Sequence, residues 1–306
     1  MSQPRAIIDL GTNTFQLLIA ESSSSGQLLS IQEMHLAVGL GKGAMETGLL
    51  QLDAMARALE ALERFLWEAQ NQGCISITGI GTSILRNARN APAFIQLVES
   101  QLGIPIQVIS GIQEAEFIFQ GIVNSLPDSW NEVSMVMDIG GGSVEFIVFQ
   151  GHEILFKKSL EVGGLKLQSL FQIDGEFNLQ IEKDIVQYLQ NELMEVFDAL
   201  RLFRPKYLIG AAGAFETLAE IQMAHGYLNQ IDKANELDVQ GFYLLKEKMA
   251  RMNLDDRQMI PGMKAFRASM IPYANCLIDQ VLNKEIIESL WMSMYSLKEG
   301  YWYSTQ

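Results

Sequence analysis

The chain states one pattern twice, and this repeat limits its fold more than any other feature. Residues 6–20 form an apolar run that ends in Asp9-Leu-Gly11, turns through Thr12-Asn13-Thr14 and enters a second apolar run. Residues 135–149 do the same through Asp138-Ile-Gly140 and Gly141-Gly142-Ser143, with Glu145 two residues further on. Each reads as a β-hairpin whose tight turn offers backbone N–H groups, with a carboxylate at its mouth. Two such turns facing each other would make a phosphate and metal site in a cleft.

The match extends beyond the hairpins. A third strand-like run follows each, Leu28 to Leu36 and Glu153 to Glu161, and leads to a glycine corner, Gly39-Leu-Gly41-Lys42-Gly43 and Gly163-Gly164. Long helical patterns come next. Leu52, Met55, Ala56, Leu59, Leu62 and Leu66 share one face of the first; Ile185, Tyr188, Leu189, Leu193, Val196 and Leu200 share one face of the second. A buried strand then ends in glycine, Ile75 to Gly81 and Tyr207 to Gly213. Asp9 and Gly81 are 72 residues apart, as are Asp138 and Gly210. The repeated order implies two α/β lobes, residues 1–124 and 125–306, with a turn-rich break around Asn124–Asn131. The segment 283–301 is amphipathic through Ile286, Ile287, Leu290, Met294 and Leu297. It is a candidate helix to pack back onto the first lobe.

Composition narrows the function classes. A hydrophobic fraction of 48% with 19% charged residues suits well-formed cores. No apolar run approaches the ~18 residues of a membrane helix, and the chain enters a strand without a secretory leader. Two distant cysteines, Cys74 and Cys276, fit a reducing, cytoplasmic setting. The net charge of −14 argues against nucleic acid as a partner. Within 241–267, six basic side chains outnumber three acidic ones, which reads either as an anion-handling patch or as a solvated helix face. His35, His152 and His225 are scattered, and no Walker A motif, dinucleotide fingerprint or nucleophile elbow is present.

Four segments carry a resemblance. These are Ile8-Asp9-Leu-Gly11-Thr12-Asn13-Thr14-Phe15; Gly81-Thr82-Ser83-Ile-Leu-Arg86-Asn-Ala88-Arg-Asn90; Ile109-Ser110-Gly111-Ile-Gln-Glu114-Ala115; and Asp138-Ile-Gly-Gly-Gly-Ser143-Val-Glu145. In this order and spacing they resemble the exopolyphosphatase and guanosine pentaphosphate phosphohydrolase family, within the actin, sugar-kinase and heat-shock ATPase superfamily. The resemblance implies two duplicated actin-like (ribonuclease H-like) lobes with an interdomain cleft. It also implies release of terminal phosphate from inorganic polyphosphate or guanosine pentaphosphate, with no membrane partner; a homodimer is compatible with it. Departures from the family pattern stand at Glu116, Ala214, Ser269, Tyr273 and Lys298.

Cleaving a terminal phosphate requires the oxygens to be held, their charge neutralised and a water aimed in line. Gly140, Gly141, Gly142 and Ser143 would form one phosphate cradle, and Thr12, Asn13 and Thr14 the other. The resemblance adds Gly213, in the second-lobe turn. Asp9, Asp138 and Glu145 are candidate ligands for Mg²⁺, a hard cation that prefers oxygen. Ser110 to Gln113 fits a capping box, so a helix should begin there with Glu114 in its first turn. By dipole alone Glu114 is unremarkable there; the resemblance makes it the general base. Arg86, with planar donors that suit phosphate, is the candidate anion clamp. Two competing readings remain open at this stage, an ATP-dependent phosphotransferase of the same superfamily and a non-catalytic sensor of phosphorylated nucleotides.

Overall fold

In the computed structural model, which describes residues 3–171, 176–211, 213–284 and 286–306, Asp9 lies in the central strand of a five-stranded sheet. The chain divides into two units: Met1–Gly121 with Gly140–Gly142 and Leu297–Gln306, and Ile122–Ile139 with Ser143–Ser296. No helix among the described residues is long and apolar enough to cross a membrane.

In the first unit, β1 (Arg5–Leu10), β2 (Thr14–Ser22) and β3 (Leu28–Ala37) form an antiparallel meander. The corner after β3 contains the single-turn helix α1 (Ala44–Thr47) and leads to α2 (Leu52–Asn71). β4 (Ser76–Gly81), α3 (Ser83–Asn87), α4 (Ala91–Leu102), β5 (Ile106–Val108) and α5 (Gly111–Val123) follow. Strand order across the sheet is β3-β2-β1-β4-β5, with β4 parallel to β1.

α2 has neither β-branched residues nor Gly or Pro, so nothing local opposes the helix; it stops before Gly73, which takes φ +67°. The buried stripe differs from the expected one. Ala54, Ala58, Ala61, Leu62, Phe65 and Ala69 face the core, whereas Ala56 is exposed and Leu52 is 82% exposed. Met55, Leu59 and Leu66 flank the core half-buried. Alanines on the inner face let the helix lie close to its neighbours, and a count that favours large apolar residues misses that.

The second unit repeats the plan. β6 (Ser134–Ile139), β7 (Val144–Gln150) and β8 (Glu153–Leu160) form its meander. Next come α6 (Gly164–Phe171), α7 (Leu179–Glu192), α8 (Met194–Phe203), β9 (Tyr207–Ala211) and α9 (Gly213–Ala224). β10 (Ala234–Leu237), α10 (Val239–Met249), α11 (Leu254–Gln258), α12 (Ile271–Leu282) and β11 (Ser289–Ser293) complete it. Its strand order, β8-β7-β6-β9-β11, reproduces the first sheet, and β10 adds an edge. The helical run 185–200 is two helices that turn at Leu193, with Asn191, a poor helix-interior residue, just before the break.

Register makes the duplication quantitative. Asp9 pairs with Gln16 across its hairpin and Asp138 with Glu145, so both loops close in the same frame. The β2–β3 ladder slips at Ile19/Ala20 and the β7–β8 ladder at Val148/Phe149, each ten residues beyond its aspartate. The equal 72-residue spacing, however, aligns the wrong glycines. Gly210 pairs with Met137, and the equivalent of Met137 in β1 is Ile8, which pairs with Gly79. Gly79 is therefore the counterpart of Gly210.

The expected helix over 283–301 is corrected. Residues 289–293 form strand β11, hydrogen-bonded to β9 and β10, and a shorter helix, α13 (Leu297–Ser304), follows within the first unit. β11 is buried on both faces of the sheet and so has no alternation, and Ile286, Leu290, Met294 and Leu297 mimic a helical spacing. The basic run 241–267 is largely neutralised. Lys246 pairs with Glu182 and Asp279, Arg251 with Glu247, Lys264 with Glu220 and Arg267 with Glu216, and Arg257 is buried. Lys248 is exposed, so neither a broad anion patch nor a simple solvated face describes the run.

Candidate active site

The first unit gathers the Thr12–Thr14 turn, Gly140–Gly142 of the second turn, the candidate clamp and the candidate base. The loop between β1 and β2 is fixed by the glycine corner after β3. Gly39 N–H donates to the Asn13 carbonyl and Gly41 N–H to the Thr12 carbonyl, each at 2.8 Å. Carbonyl and N–H point in opposite directions across a trans peptide, so the Asn13 amide, joined to the Thr12 carbonyl, turns away from that corner. Thr12 is buried, and Asn13 and Thr14 are half-buried.

The turn Gly140–Gly142 belongs to this unit. A Cβ on Gly141 would lie 3.0 Å from Thr12 Cβ and 3.5 Å from Asn13 N. A Cβ on Gly142 would overlap Ser83 Oγ and stand 3.0 Å from Thr12 Oγ1. Neither glycine has positive φ. The requirement is closeness of approach rather than backbone freedom, and this explains a glycine run that a plain hairpin would not need.

Ser83 opens α3, whose N-cap, Thr82, donates through Oγ1 to the Leu10 carbonyl at 3.4 Å. Ser83 Oγ accepts from Asn87 Nδ2 at 3.3 Å. One turn along the same helix, Arg86 Nη1 donates to Glu114 Oε2 at 2.6 Å and to the Ile109 carbonyl at 3.1 Å. The two side chains retain 15% and 10% exposure, so the pair is nearly dry. Glu114 stands in the first turn of α5, behind the expected capping box. Ser110 Oγ accepts from Gln113 N at 3.2 Å, and Gln113 Oε1 accepts from Ser110 N at 3.0 Å. On its outer side Arg86 lines a shallow concavity with Pro92, Ile95, Val108 and Ser110.

Of the remaining candidates, Asp9 lies in β1 of the first unit, opposite Gln16, and Asp138, Glu145, Ser143 and Gly213 lie in the second. Asp138 and Glu145 are direct cross-strand partners and therefore share a face of the sheet. The next strand adds Ser159 opposite Glu145. Ser159 Oγ donates to Glu145 Oε1 at 2.7 Å, and Ser296 Oγ donates to Asp138 Oδ2 at 2.6 Å. Glu145 is 1% exposed, and Ser143 is buried beside it in sequence. Gly213 takes φ +49° and starts α9; its carbonyl accepts from Arg267 and, at 3.2 Å, from Thr217 Oγ1. Thr217 thus places a hydroxyl one turn beyond Ala214. Tyr273, another departure, is fully buried and packs edge-on against Phe177.

Three serines escape a sequence reading. Ser83 contacts the glycine turn, although its neighbour Arg86 drew the attention. Ser159 supports Glu145 from the adjacent strand, which hairpin register would have indicated; nothing in the sequence singles out Ser296. The donor set suits a hard cation. Asp138 and Glu145 supply paired carboxylates, and no three His, Cys, Asp or Glu side chains converge into a closed cage among the described residues. Mg²⁺ characteristically takes one or two carboxylates and fills its shell with water and phosphate oxygens.

Known proteins bear on this arrangement. The sequence model of the Ppx/GppA phosphatase family matches residues 18–306. An exopolyphosphatase from Cytophaga hutchinsonii is 34% identical over 99% of this chain and 97% of its own, with a TM-score of 0.93. The Aquifex aeolicus member of the Ppx/GppA family shares the fold at 22% identity and a TM-score of 0.80, over 99% of this chain and 97% of its own. The repeated sheets are thus two actin-like lobes, and the chain belongs to the Ppx/GppA phosphatase family.

Proposed function

We propose that this phosphatase releases the terminal phosphate of inorganic polyphosphate, of guanosine pentaphosphate, or of both, by in-line attack of water. The observation that carries the reading is the grouping of Arg86, Glu114, Ser83 and the Gly140–Gly142 turn in one unit. The exopolyphosphatase at 34% identity supports the substrate class.

Water attacks the terminal phosphorus and gives its proton to the Glu114 carboxylate. The bridging P–O bond breaks, and the bond electrons leave with the shortened chain. Arg86 neutralises the equatorial oxygens, and amide groups of the two turns, with the hydroxyls of Thr12, Thr14 and Ser143, hold them. Asp138 and Glu145, with Asp9 as a further candidate, would hold Mg²⁺, which would supply charge neutralisation at the phosphoryl oxygens. Glycine at 141 and 142 permits backbone contact with the substrate in the way it already permits contact with Thr12 and Ser83.

The test is free-phosphate release from polyphosphate, guanosine pentaphosphate and ATP with Mg²⁺, for the wild type and Glu114→Gln. Removing a general base lowers the rate by ~10²–10⁴-fold, and that loss is expected on the first or second substrate. Transfer from ATP to an acceptor without phosphate release would instead mark a phosphotransferase, and binding without turnover a sensor.

A further inference from the structure

We propose that a groove formed by α7, α10 and α12 in the second unit binds a linear aliphatic polyamine. No residue of the candidate active site takes part, so the proposal is independent of the phosphatase reading. The groove encloses about 460 Å³. Glu182 and Val186 of α7, Lys246 of α10, and Asp279 and Gln280 of α12 line it. Two carboxylates there share one ammonium. Lys246 Nζ stands 2.7 Å from Glu182 Oε1 and 2.9 Å from Asp279 Oδ2, and the three side chains retain 18%, 17% and 7% exposure. Asp279 is met twice, because Asn283 Nδ2 donates to its Oδ1 at 2.7 Å. The triad keeps one net negative charge in a poorly solvated place, and that is unfavourable until a further cation meets it. Lys183 also lines the groove, but it is exposed and its charge is met by water.

A second, independent observation asks for the same ligand. Gln280 is 5% exposed and lines the groove, yet its amide makes no hydrogen bond to any described residue. A buried amide without a partner is costly, and its carbonyl oxygen is an acceptor. An alkylammonium group answers both needs, with N–H donors for Gln280 and positive charge for the triad. The shape of the groove favours an organic chain over a bare ion. Leu179 and Val186 supply apolar wall that methylene groups would cover. Glu182, Val186 and Gln190 recur at helical spacing and share one face of α7. Glu182 and Gln190 are eight residues apart, roughly 12 Å along the axis. A second ammonium at the far end would reach the amide oxygens of Gln187 and Gln190, both exposed lining residues. The chain's net charge of −14 raises the local concentration of any such polycation.

The test is calorimetric titration of the full chain with spermidine, without any phosphate substrate, at about 0.15 M salt to screen long-range attraction. One saturable site is expected. Gln280→Leu, close in volume, should weaken binding by at least about 10-fold, the order of a lost hydrogen bond to a charged group. Glu182→Gln, which neutralises the triad, should weaken it by at least about 10-fold. Lys183→Gln removes a like charge and should tighten it by up to about 5-fold. n-Butylamine, with a single ammonium, should bind at least about 10-fold more weakly than spermidine. Asp53→Asn, an exposed carboxylate of the first unit, should change binding by less than about 2-fold. No saturable binding would overturn the proposal. So would uptake at many sites that Gln280→Leu leaves unchanged, or an equal loss in Asp53→Asn, because either marks adsorption to an acidic surface. Equal affinity for n-butylamine would overturn the assignment to a polyamine. Thermal unfolding supplies the control for folding. Spermidine should raise the midpoint of the wild type and leave that of Gln280→Leu in place. A Gln280→Leu chain that melts well below the wild type would mean that the amide is already satisfied within the protein, and would overturn the site as well.

Discussion

The two units share a sheet order, a hairpin frame and even the position of a ladder slip, yet they carry different chemistry on equivalent residues. Around Asp138 the cross-strand row reads Ser159–Glu145–Asp138–Ala211–Ser293; around Asp9 it reads His35–Gln16–Asp9–Ile80–Gln107. The second unit thus pairs two carboxylates and braces each with a serine hydroxyl. The first unit keeps one carboxylate and replaces its partner with the neutral Gln16. What it has instead is the Arg86–Glu114 pair, set on α3 and α5. A duplicated scaffold can therefore hold its backbone constant while its copies diverge in side-chain chemistry; under the proposed function the paired carboxylates would handle a cation and the Arg86–Glu114 unit would clamp phosphate.

The division is best tested by making the copies alike. Glu145→Gln gives the second row the composition of the first. It should lower phosphate release by about 10²–10³-fold, the loss typical of removing one preorganised electrostatic contact in the transition state. The reciprocal Gln16→Glu should cost only a few-fold. Steady-state rates across a Mg²⁺ titration decide the matter, and equal losses from both changes would show that the rows are not specialised.

The turns allow a second comparison. A Cβ on Gly142 meets a side chain, Ser83 Oγ, whereas a Cβ on Gly11 meets the Thr14 carbonyl at 2.7 Å. Gly142→Ala should reduce kcat by about 10²-fold, the order expected when a turn is displaced by about an ångström. Adding Ser83→Gly should restore most of it. Gly11→Ala faces backbone, so no side-chain change should rescue it. Failure of the Ser83→Gly rescue would mean that Gly142 acts through something other than this contact.

A smaller effect should follow loss of the brace on Glu145. Ser159→Ala leaves the carboxylate in place but removes the 2.7 Å hydrogen bond that orients it. Supporting contacts of this kind are worth roughly 10–100-fold in metal affinity, and the lower end, about 10-fold in apparent Mg²⁺ affinity, is expected here. A shift in kcat with no change in the Mg²⁺ midpoint would assign Ser159 a different role.

Much of this was legible in the residues. The twin hairpins, the order of elements and the capping box at Ser110 follow from local pattern and turn chemistry. The misreadings have physical causes. β11 is buried on both faces, so it has no alternation, and residues 283–301 look helical. α2 buries alanines, and a search for large apolar residues selects a stripe turned from the core. The equal 72-residue spacing is a coincidence that only strand register exposes, because insertions between strands are invisible to counting. The close contact of Gly142 with Ser83 joins residues 59 positions apart, and no local pattern encodes it.

The smallest predicted difference between the units concerns alkaline stability. Burial raises the pKa of the Cys276 thiol and the Tyr273 hydroxyl, both on α12 in the second unit. Cys74 of the first unit is shifted the same way by burial but is half-exposed. For an acid whose folded pKa lies above its unfolded one, the native state holds its proton while the unfolded state loses it. Stability is therefore full below the unfolded value, about 8.5 for Cys and 10 for Tyr, and falls as pH rises past it. Each such group contributes a decline of about 1.4 kcal/mol per pH unit, or roughly 2 kcal/mol for Cys276 by pH 10. Urea unfolding at pH 8 and pH 10 should show that decline. Cys276→Ala should remove most of the thiol's share, and Cys74→Ala much less. Hydrogen exchange at the two pH values, corrected for the intrinsic rate, should place the loss in α12 and the strands of its unit. Equal weakening of α2 and β1 would mean that the thiol on α12 does not set the alkaline limit.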